Sequence, residues 1–423
     1  MAIFSRGCVM ITKAVIPIGG EATRLRPLTI ETSKGLVRLL NKPILEHSIL
    51  NLAKDGIEEV YLGVKGYVNY TSLFDYFREG YWLKKKYGLE KEVRIRYMPR
   101  YESTTNGDAV WYTMQYYGIK EPVVVIQGDN IYQLNVQDMF RWHKKKKAFM
   151  TIALQRVDDV TGFGVAKIDD DYRIEYFVEK PKPEEAPSNL ANTGIYILSE
   201  NFWEFLEDGW AREMRESRKL DFGSNIIPAL IEHGYNIYGY PMEGYWFDVG
   251  TPERYLDAAM YLLHHLAPQE LEAIPITQDI YMQGKSEMSD NLREKIRDMV
   301  KRGLLLVNGK VLLGRHISIG RETALEDAVI DNYSIIGRNC EILHSVVMDR
   351  VKLGDNVRIV NSIIGRHVEI GDNVRIVNSV IGDNAVISDN VRMYNVKIWP
   401  HEFVEKGATL EHYTVRSVRV PRR

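Results

Sequence analysis

The chain has 423 residues, 45% hydrophobic and 26% charged, a length too great for one ordinary core and the balance of a soluble globular protein with two or three domains. Its net charge of −2 leaves no basic field of the kind nucleic-acid binders carry, and no apolar stretch approaches a membrane span, so neither nucleic acid nor a membrane is expected as a partner. Cys8 and Cys340 stand far apart, which supports neither a disulfide framework nor a metal cluster and fits a reducing, cytoplasmic location. The N-terminus lacks an apolar core followed by a small-residue cleavage site, and Met10 is as good a start as Met1.

In chain order, residues 14–18 read as a buried strand that runs into Gly19-Gly20. Residues 43–55 read as a helix, with Ile44, Leu45, Ile49, Leu50 and Leu52 on one stripe. Residues 59–64 give the next strand, 108–117 a helix and 123–127 a central strand. Strands alternating with helices imply a parallel sheet covered on both faces, with ligands at the carboxyl ends of its strands. The lysines at 144–147 read as the solvated end of a helix just before a strand at 148–156. Further strands are expected at 164–168, 174–179, 195–198 and 237–240, and a closing helix at 255–266. This divides the chain into an α/β domain at 11–266, a helical connector at 267–312 and a repeat at 313–423.

The repeat is regular. Aliphatic residues recur from Leu313 through Ile319, Leu325 and Ile330 to Val404, Leu410 and Val415, in steps of six, six and five. The segment 357–365 returns almost letter for letter at 374–382. Such a period means a solenoid whose coils bury their faces on one another. Three short strands per coil with Gly-Asp-Asn or Gly-Arg-His corners resemble the hexapeptide left-handed parallel β-helix, with about six coils.

The chemistry-bearing residues lie mostly in the first part. After the first strand, Gly19-Gly20 lets the backbone approach an anion, and Arg24 and Lys34 can neutralise a polyphosphate. Asp129 follows the strand at 123–126, and Asp248 sits in Tyr245-Trp246-Phe247-Asp248 before a turn. Two isolated aspartates of this kind can share one Mg²⁺, with phosphate and water completing its shell, although each alone is an ordinary turn residue. Glu179-Lys180 and Asn192-Thr193-Gly194 suit a sugar phosphate: the carboxylate accepts from hydroxyls and the ammonium meets the phosphate. Taken singly, Glu179-Lys180 is a surface pair and Gly164 part of a turn.

Gly19-Gly20-Glu21-Ala22-Thr23-Arg24-Leu25-Arg26-Pro27-Leu28-Thr29 with Lys34 resembles the signature of sugar-1-phosphate nucleotidyltransferases. The likeness covers about residues 11–255, and ADP-glucose and GDP-mannose pyrophosphorylases are members that also carry a C-terminal β-helix. It implies a doubly wound, Rossmann-like domain followed by a left-handed β-helix. It implies that Gly19, Gly20, Thr23, Gly107 and Asp108 hold the nucleotide and that Arg24 and Lys34 meet its phosphates, with Asp129 catalytic. By the same likeness Asp129 and Asp248 hold Mg²⁺, and Gly164, Glu179, Lys180, Asn192 and Gly194 hold the sugar phosphate. The expected partners are a nucleoside triphosphate and a sugar 1-phosphate, with a homo-oligomer built partly through the β-helix.

The chain departs from the family's pattern in places. Ala22 replaces a loop glycine, Lys34 is not flanked by proline, and residues 104–110 match the base-contacting segment only loosely. Some segments look like the ADP-glucose branch, while residues 41–47 look like the GDP-mannose and dTDP- or UDP-glucose branches, so neither base nor sugar is assigned beyond a gluco- or manno-configured hexose. Two other readings stand beside this one. A β-helix acyltransferase would call for a looped-out segment and a catalytic histidine, but the rhythm runs unbroken and His316, His344, His367, His401 and His412 fall at corners or outward positions. A regulatory subunit would be expected to have lost Arg24, Lys34 or a metal aspartate.

Overall fold

Lys13–Ile18 (β1) is apolar after its first residue, and those five residues are all buried. A strand buried on both faces belongs at the centre of a covered sheet. The computed structural model describes residues 10–19, 22–100 and 105–416. It divides into two compact units, one of residues 1–21 and 44–248, the other of 22–43 and 249–423.

In the first unit, β1 is followed by the strands Glu59–Lys65 (β2), Arg94–Arg100 (β3), Val123–Ile126 (β4), Asn130–Tyr132 (β5) and Met150–Arg156 (β6). Gly164–Ile168 (β7), Ile174–Glu179 (β8), Leu190–Leu198 (β9), Ile237–Pro241 (β10) and Trp246–Asp248 (β11) complete the set. The main sheet runs β8-β7-β9-β4-β1-β2-β3, with β6 on β9 and β10 on β6. Strands β3, β2, β1 and β4 are parallel neighbours, the strand order of a Rossmann-like half. The sheet is mixed rather than wholly parallel, because β9 joins β4 antiparallel and β7 and β8 form an antiparallel pair. The helices Ile44–Lys54 (α1), Tyr67–Phe77 (α2), Asn106–Tyr117 (α3) and Val136–Lys146 (α4) connect these strands. Thr105 caps α3 by accepting from the Asp108 N–H, and Asn135 caps α4 by accepting from Gln137 and Asp138. The lysine run does end a helix: α4 stops at Lys146, and Lys147 takes a left-handed φ of 48°.

The sheet's geometry fixes where ligands can enter. β1 lies between β2 and β4, so the chain leaves β1 and β4 at the point where the strand order reverses. A Cβ on Gly128 would sit 3.0 Å from Ile18 Cγ1, which shows how tightly the exit of β4 packs on the end of β1.

The second unit is a parallel β-helix. Each residue pairs with the one seventeen further on, as in Ile359↔Ile376↔Met393↔Leu410 and Ile363↔Val380↔Lys397↔Thr414. The aliphatic series from Leu313 to Val404 forms one continuous core cluster. Stacking begins ahead of the visible repeat, since Ile280 pairs with Val311 and Leu305 with Thr323, both in parallel. The helices Pro252–His265 (α5) and Glu287–Lys301 (α6) belong to this unit, and α6 lays Ile296 and Met299 into the same core. A solenoid's first coil needs such a cap. The corners are left-handed, with Asn356, Asn373 and Asn390 at φ 58–60° and the histidines at 316, 344, 367, 401 and 412 at 46–62°. Asparagine suits these positions because its side chain tolerates αL and bonds locally. Here it bonds to the next coil, Asn356 Nδ2 donating to Asn373 Oδ1 at 3.0 Å.

Candidate active site

In the first unit, β5 and β11 form a two-stranded antiparallel sheet in which Asp248 pairs with Asn130. Asp129 immediately precedes Asn130, so this register brings together the two aspartates that sequence separates by more than a hundred residues. Asn130 holds the junction. Its Nδ2 donates to Thr193 O at 2.6 Å, its Oδ1 accepts from Trp246 Nε1 at 3.3 Å, and its carbonyl accepts from Ser48 Oγ at 2.8 Å. No group of three His, Cys, Asp or Glu side chains that could hold a metal exists among the described residues. Two carboxylates are the donor set of an ion that keeps water and phosphate oxygens in its shell, so Asp129 and Asp248 fit a divalent cation.

The second cluster surrounds Glu179, the last residue of β8. Its partner across the β7–β8 pair is Gly164. A Cβ on Gly164 would lie 2.6 Å from Glu179 Oε2, and one on Gly223 only 2.2 Å from it. Two missing side chains therefore make the space in which this carboxylate sits. Lys180 pairs with it at 3.1 Å, in a left-handed conformation of φ 49°, and is otherwise exposed.

Asn192 and Gly194 lie at a bulge in β9, where its register against β6 shifts between Asn192 and Tyr196. Such bulges re-aim side chains. Gly194 has φ +73°, and its Cβ would meet Gln127 Cγ at 2.9 Å, so only glycine fits. Its N–H donates to Asn192 Oδ1 at 2.9 Å, and Asn192 Nδ2 donates to the Tyr196 hydroxyl at 3.0 Å. Burial, together with the charges of Glu179 and Asp221, pushes that hydroxyl far above the usual tyrosine range, so it stays neutral. Gln127, Asn192, Glu179 and Asp221 thus act on one buried hydroxyl.

Gly107 and Asp108 lie in the interior at the start of α3. A Cβ on Gly107 would fall 1.8 Å from Leu220 O, and Asn106 Oδ1 accepts from Phe222 N at 3.0 Å. Packing against 220–222 is reason enough for a glycine there. Gly19 follows β1 directly, whereas Gly20 lies outside the described residues.

Thr23, Arg24 and Lys34 belong to the segment 22–43, which is part of the second unit. Thr23–Leu25 and Lys34–Leu36 are single 3₁₀ turns. Thr23 and Arg24 are exposed, and Lys34 is half-buried. Ala22 takes φ 45°, the left-handed conformation that a glycine would adopt freely, and Thr29 Oγ1 donates to its carbonyl at 2.8 Å.

Sequence reasoning gave no role to Gly223, Gln127 or Tyr196. Gly223 follows the stretch that packs on Gly107, and only the fold shows that it faces Glu179.

Residues 13–265 match the family described as Nucleotidyl transferase, and residues 307–413 match the GMPPB C-terminal domain. A glucose-1-phosphate adenylyltransferase of Clostridium acetobutylicum is 34% identical over 59% of this chain and 67% of its own length. A low-salt glycan biosynthesis nucleotidyltransferase of Haloferax volcanii is 29% identical over 77% of this chain and 87% of its own. Several of the adenylyltransferase relatives are matched over less than two thirds of their length, at 61–66%. Among solved structures, a glucose-1-phosphate thymidylyltransferase of Bacillus anthracis superposes with a TM-score of 0.51 at 25% identity, covering 60% of this chain and 96% of that one. A UDP-glucose pyrophosphorylase shares the fold, with a TM-score of 0.50 at 24% identity over 59% of this chain and 97% of its own. No described helix is long and apolar enough to cross a membrane. With more than half of its length matched, the chain belongs to the nucleotidyl transferase family.

Proposed function

We propose that the protein is a sugar-1-phosphate nucleotidyltransferase, converting a nucleoside triphosphate and a hexose 1-phosphate into a nucleoside-diphosphate hexose and diphosphate. The observation that carries this reading is the β5–β11 register, which sets Asp248 beside Asp129 at the carboxyl end of β4. The Glu179 cradle in the same unit supports it. An oxygen of the sugar phosphate attacks the α-phosphorus in line and forms the new P–O bond, while the bond from that phosphorus to the diphosphate oxygen breaks. The attacking oxygen is already anionic near neutral pH, so no general base is needed. The protein supplies alignment and positive charge.

In this reading Gly19, Gly20, Thr23, Gly107 and Asp108 serve the nucleotide, and Arg24 and Lys34 meet its phosphates. Glu179 and Asn192 accept from and donate to sugar hydroxyls, Lys180 meets the sugar phosphate, and Gly164 and Gly194 leave it room. Asp129 and Asp248 would hold a divalent cation, Mg²⁺, which supplies charge neutralisation on the phosphates when bound. Relatives are named for adenylyl transfer and structural neighbours for thymidylyl and uridine chemistry, so the base stays open and the sugar is a gluco- or manno-hexose. We place the enzyme in the cytoplasm, as a homo-oligomer formed partly through the β-helix.

The test is diphosphate release by the purified protein with Mg²⁺, across ATP, GTP, UTP, CTP and dTTP and a panel of hexose 1-phosphates. One strongly preferred pair is expected, and Asp129→Asn or Asp248→Asn should lower kcat roughly 100-fold or more with little change in Tm. Near-normal turnover in a folded Asp129→Asn variant overturns the site assignment. Silence across the whole panel overturns the activity.

A further inference from the structure

The 22–43 segment is gripped by the β-helix on both sides of Lys34. Two residues before Lys34, Thr32 Oγ1 accepts from Arg366 Nη2 at 2.7 Å. Four residues after it, Arg38 Nε lies 2.7 Å from Asp331 Oδ2, and that carboxylate is 2% exposed. Farther along the segment, Asn41 Nδ2 donates to Gln283 Oε1 at 3.2 Å and Lys42 pairs with Glu272 at 2.7 Å. Leu28, Thr32, Leu36, Val37 and Arg38 line one small cavity together with Met348, Arg366 and Asp383.

The repeat itself shows which of these coil residues are there for the segment. Positions one coil apart should be interchangeable as far as the solenoid is concerned. Those equivalent to Asp331 carry Gly314, Met348, Gly365, Gly382 and Trp399, none of them an acid. Asp331 Oδ1 accepts from the N–H and Nδ2 of Asn332, at 2.7 and 2.6 Å, but a buried carboxylate is costly unless its charge is also paired. Its partner is Arg38. Arg366 has a matched control in the same solenoid. Arg338 makes the same bridge to the next coil, its N–H donating to Asp355 Oδ1 at 2.7 Å and its Nε to Oδ2 at 3.1 Å. Arg366 does this with Asp383 at 2.8 Å for both contacts. The Arg338 bridge is open to solvent, with Asp355 33% exposed, whereas Asp383 is only 10% exposed and Arg366 reaches on to Thr32.

We propose that Asp331 and Arg366 are positioning residues for nucleotidyl transfer: the β-helix holds the segment on either side of Lys34 and so fixes that lysine in its working conformation. The inference rests on the reading of Lys34 as a phosphate-contacting residue. It gives the β-helix a direct part in the chemistry of each chain, separate from any assembly function.

The experiment compares Arg366→Met, Asp331→Asn and Thr32→Val with Arg338→Met, which removes the matched bridge that does not touch the segment, and with Thr32→Ser, which keeps the acceptor. With the best substrate pair, the first three should lose roughly 10- to 100-fold in kcat while KM for the sugar phosphate moves little. Arg338→Met and Thr32→Ser should stay near wild type. Hydrogen exchange of the amides in 28–38 should accelerate in the first three variants and not in the controls. Wild-type kcat in Arg366→Met and Thr32→Val, or an equal loss in Arg338→Met, overturns the proposal. Thr32→Val leaves every coil intact, so misfolding of the solenoid cannot mimic its effect. A wild-type protein silent on all substrates would count against the functional reading alone. The exchange arm would then still decide the grip, and unchanged exchange in 28–38 would overturn it.

Discussion

At the residue scale, glycines explain the site better than its charged groups do. Gly223 and Gly107 are both required by space, for opposite reasons. The obstacle at Gly223 is Glu179 Oε2, the far end of a flexible side chain, at 2.2 Å from a would-be Cβ. At Gly107 it is the Leu220 carbonyl, a backbone atom held by the start of α3, at 1.8 Å. Gly223→Ala should therefore push the Glu179 carboxylate aside without unfolding the unit. KM for the sugar phosphate should rise about tenfold or more with Tm nearly constant. Gly107→Ala should do the reverse, costing about 3 kcal/mol of stability in a urea titration by overpacking. If both variants only unfold, the Glu179 space is a packing feature and not a binding one.

At the element scale, the β-helix was legible because its physics is local. Each coil buries one aliphatic residue per short strand and turns at a residue that tolerates φ > 0, and the sequence spells both in steps of six, six and five. Asn373 at φ 58° shows the cost of the corner. Asn373→Ala should destabilise the solenoid by about 1–2 kcal/mol, the penalty of a left-handed alanine, measured as a fall in urea midpoint. Asn373→Gly should lose less, since it gives up the amide bond from Asn356 but not the conformation. The strands β1, β2 and β4 were legible for a similar reason, as unbroken apolar runs. β3 was not, because Arg94, Arg96 and Arg100 interrupt it and its burial is partial. α4 was read only from its lysine end. The two aspartates proposed to hold a cation were picked out from their places after strands, but the β5–β11 pairing that joins them depends on long-range register. The Asp331–Arg38 pair had no local signal, since an acid in a coil reads as one more surface corner until its partner is known.

At the scale of the whole molecule, one buried group in each unit should contribute to the acid response with opposite sign. Burial in α4 lowers the His143 pKa to about 4, with Lys144 adding to the effect and Glu200 opposing it. The unfolded chain then binds a proton between about pH 6.5 and 4 that the folded first unit cannot, so stability is lost as pH falls through that window, by up to about 3 kcal/mol. Burial pushes Asp331 up to about 6, with Asp349 raising it further and Arg38 and Arg315 opposing. There the folded form takes up the proton first, so the contribution of Asp331 to the stability of the second unit rises as pH falls from about 6 towards 4, and is lost again as pH rises. Hydrogen exchange at pH 7 and pH 4.5 should show α4 and β6 loosening in acid while the coils around 331 tighten. His143→Gln should abolish the first change and leave the second. Parallel loosening of both units would show that burial of Asp331 does not set its titration.

The membership of 22–43 in the second unit has a consequence for synthesis. Asp331 and Arg366 are synthesised some three hundred residues after the segment they hold. At roughly 5–20 residues per second that delay is tens of seconds. The first unit's sheet can close while the segment is still waiting for its partners. A nascent or truncated chain that lacks the coils through Arg366 would then hold the aspartate pair without a settled Lys34, and arming of the site would report that the coils through Arg366 have been made and folded.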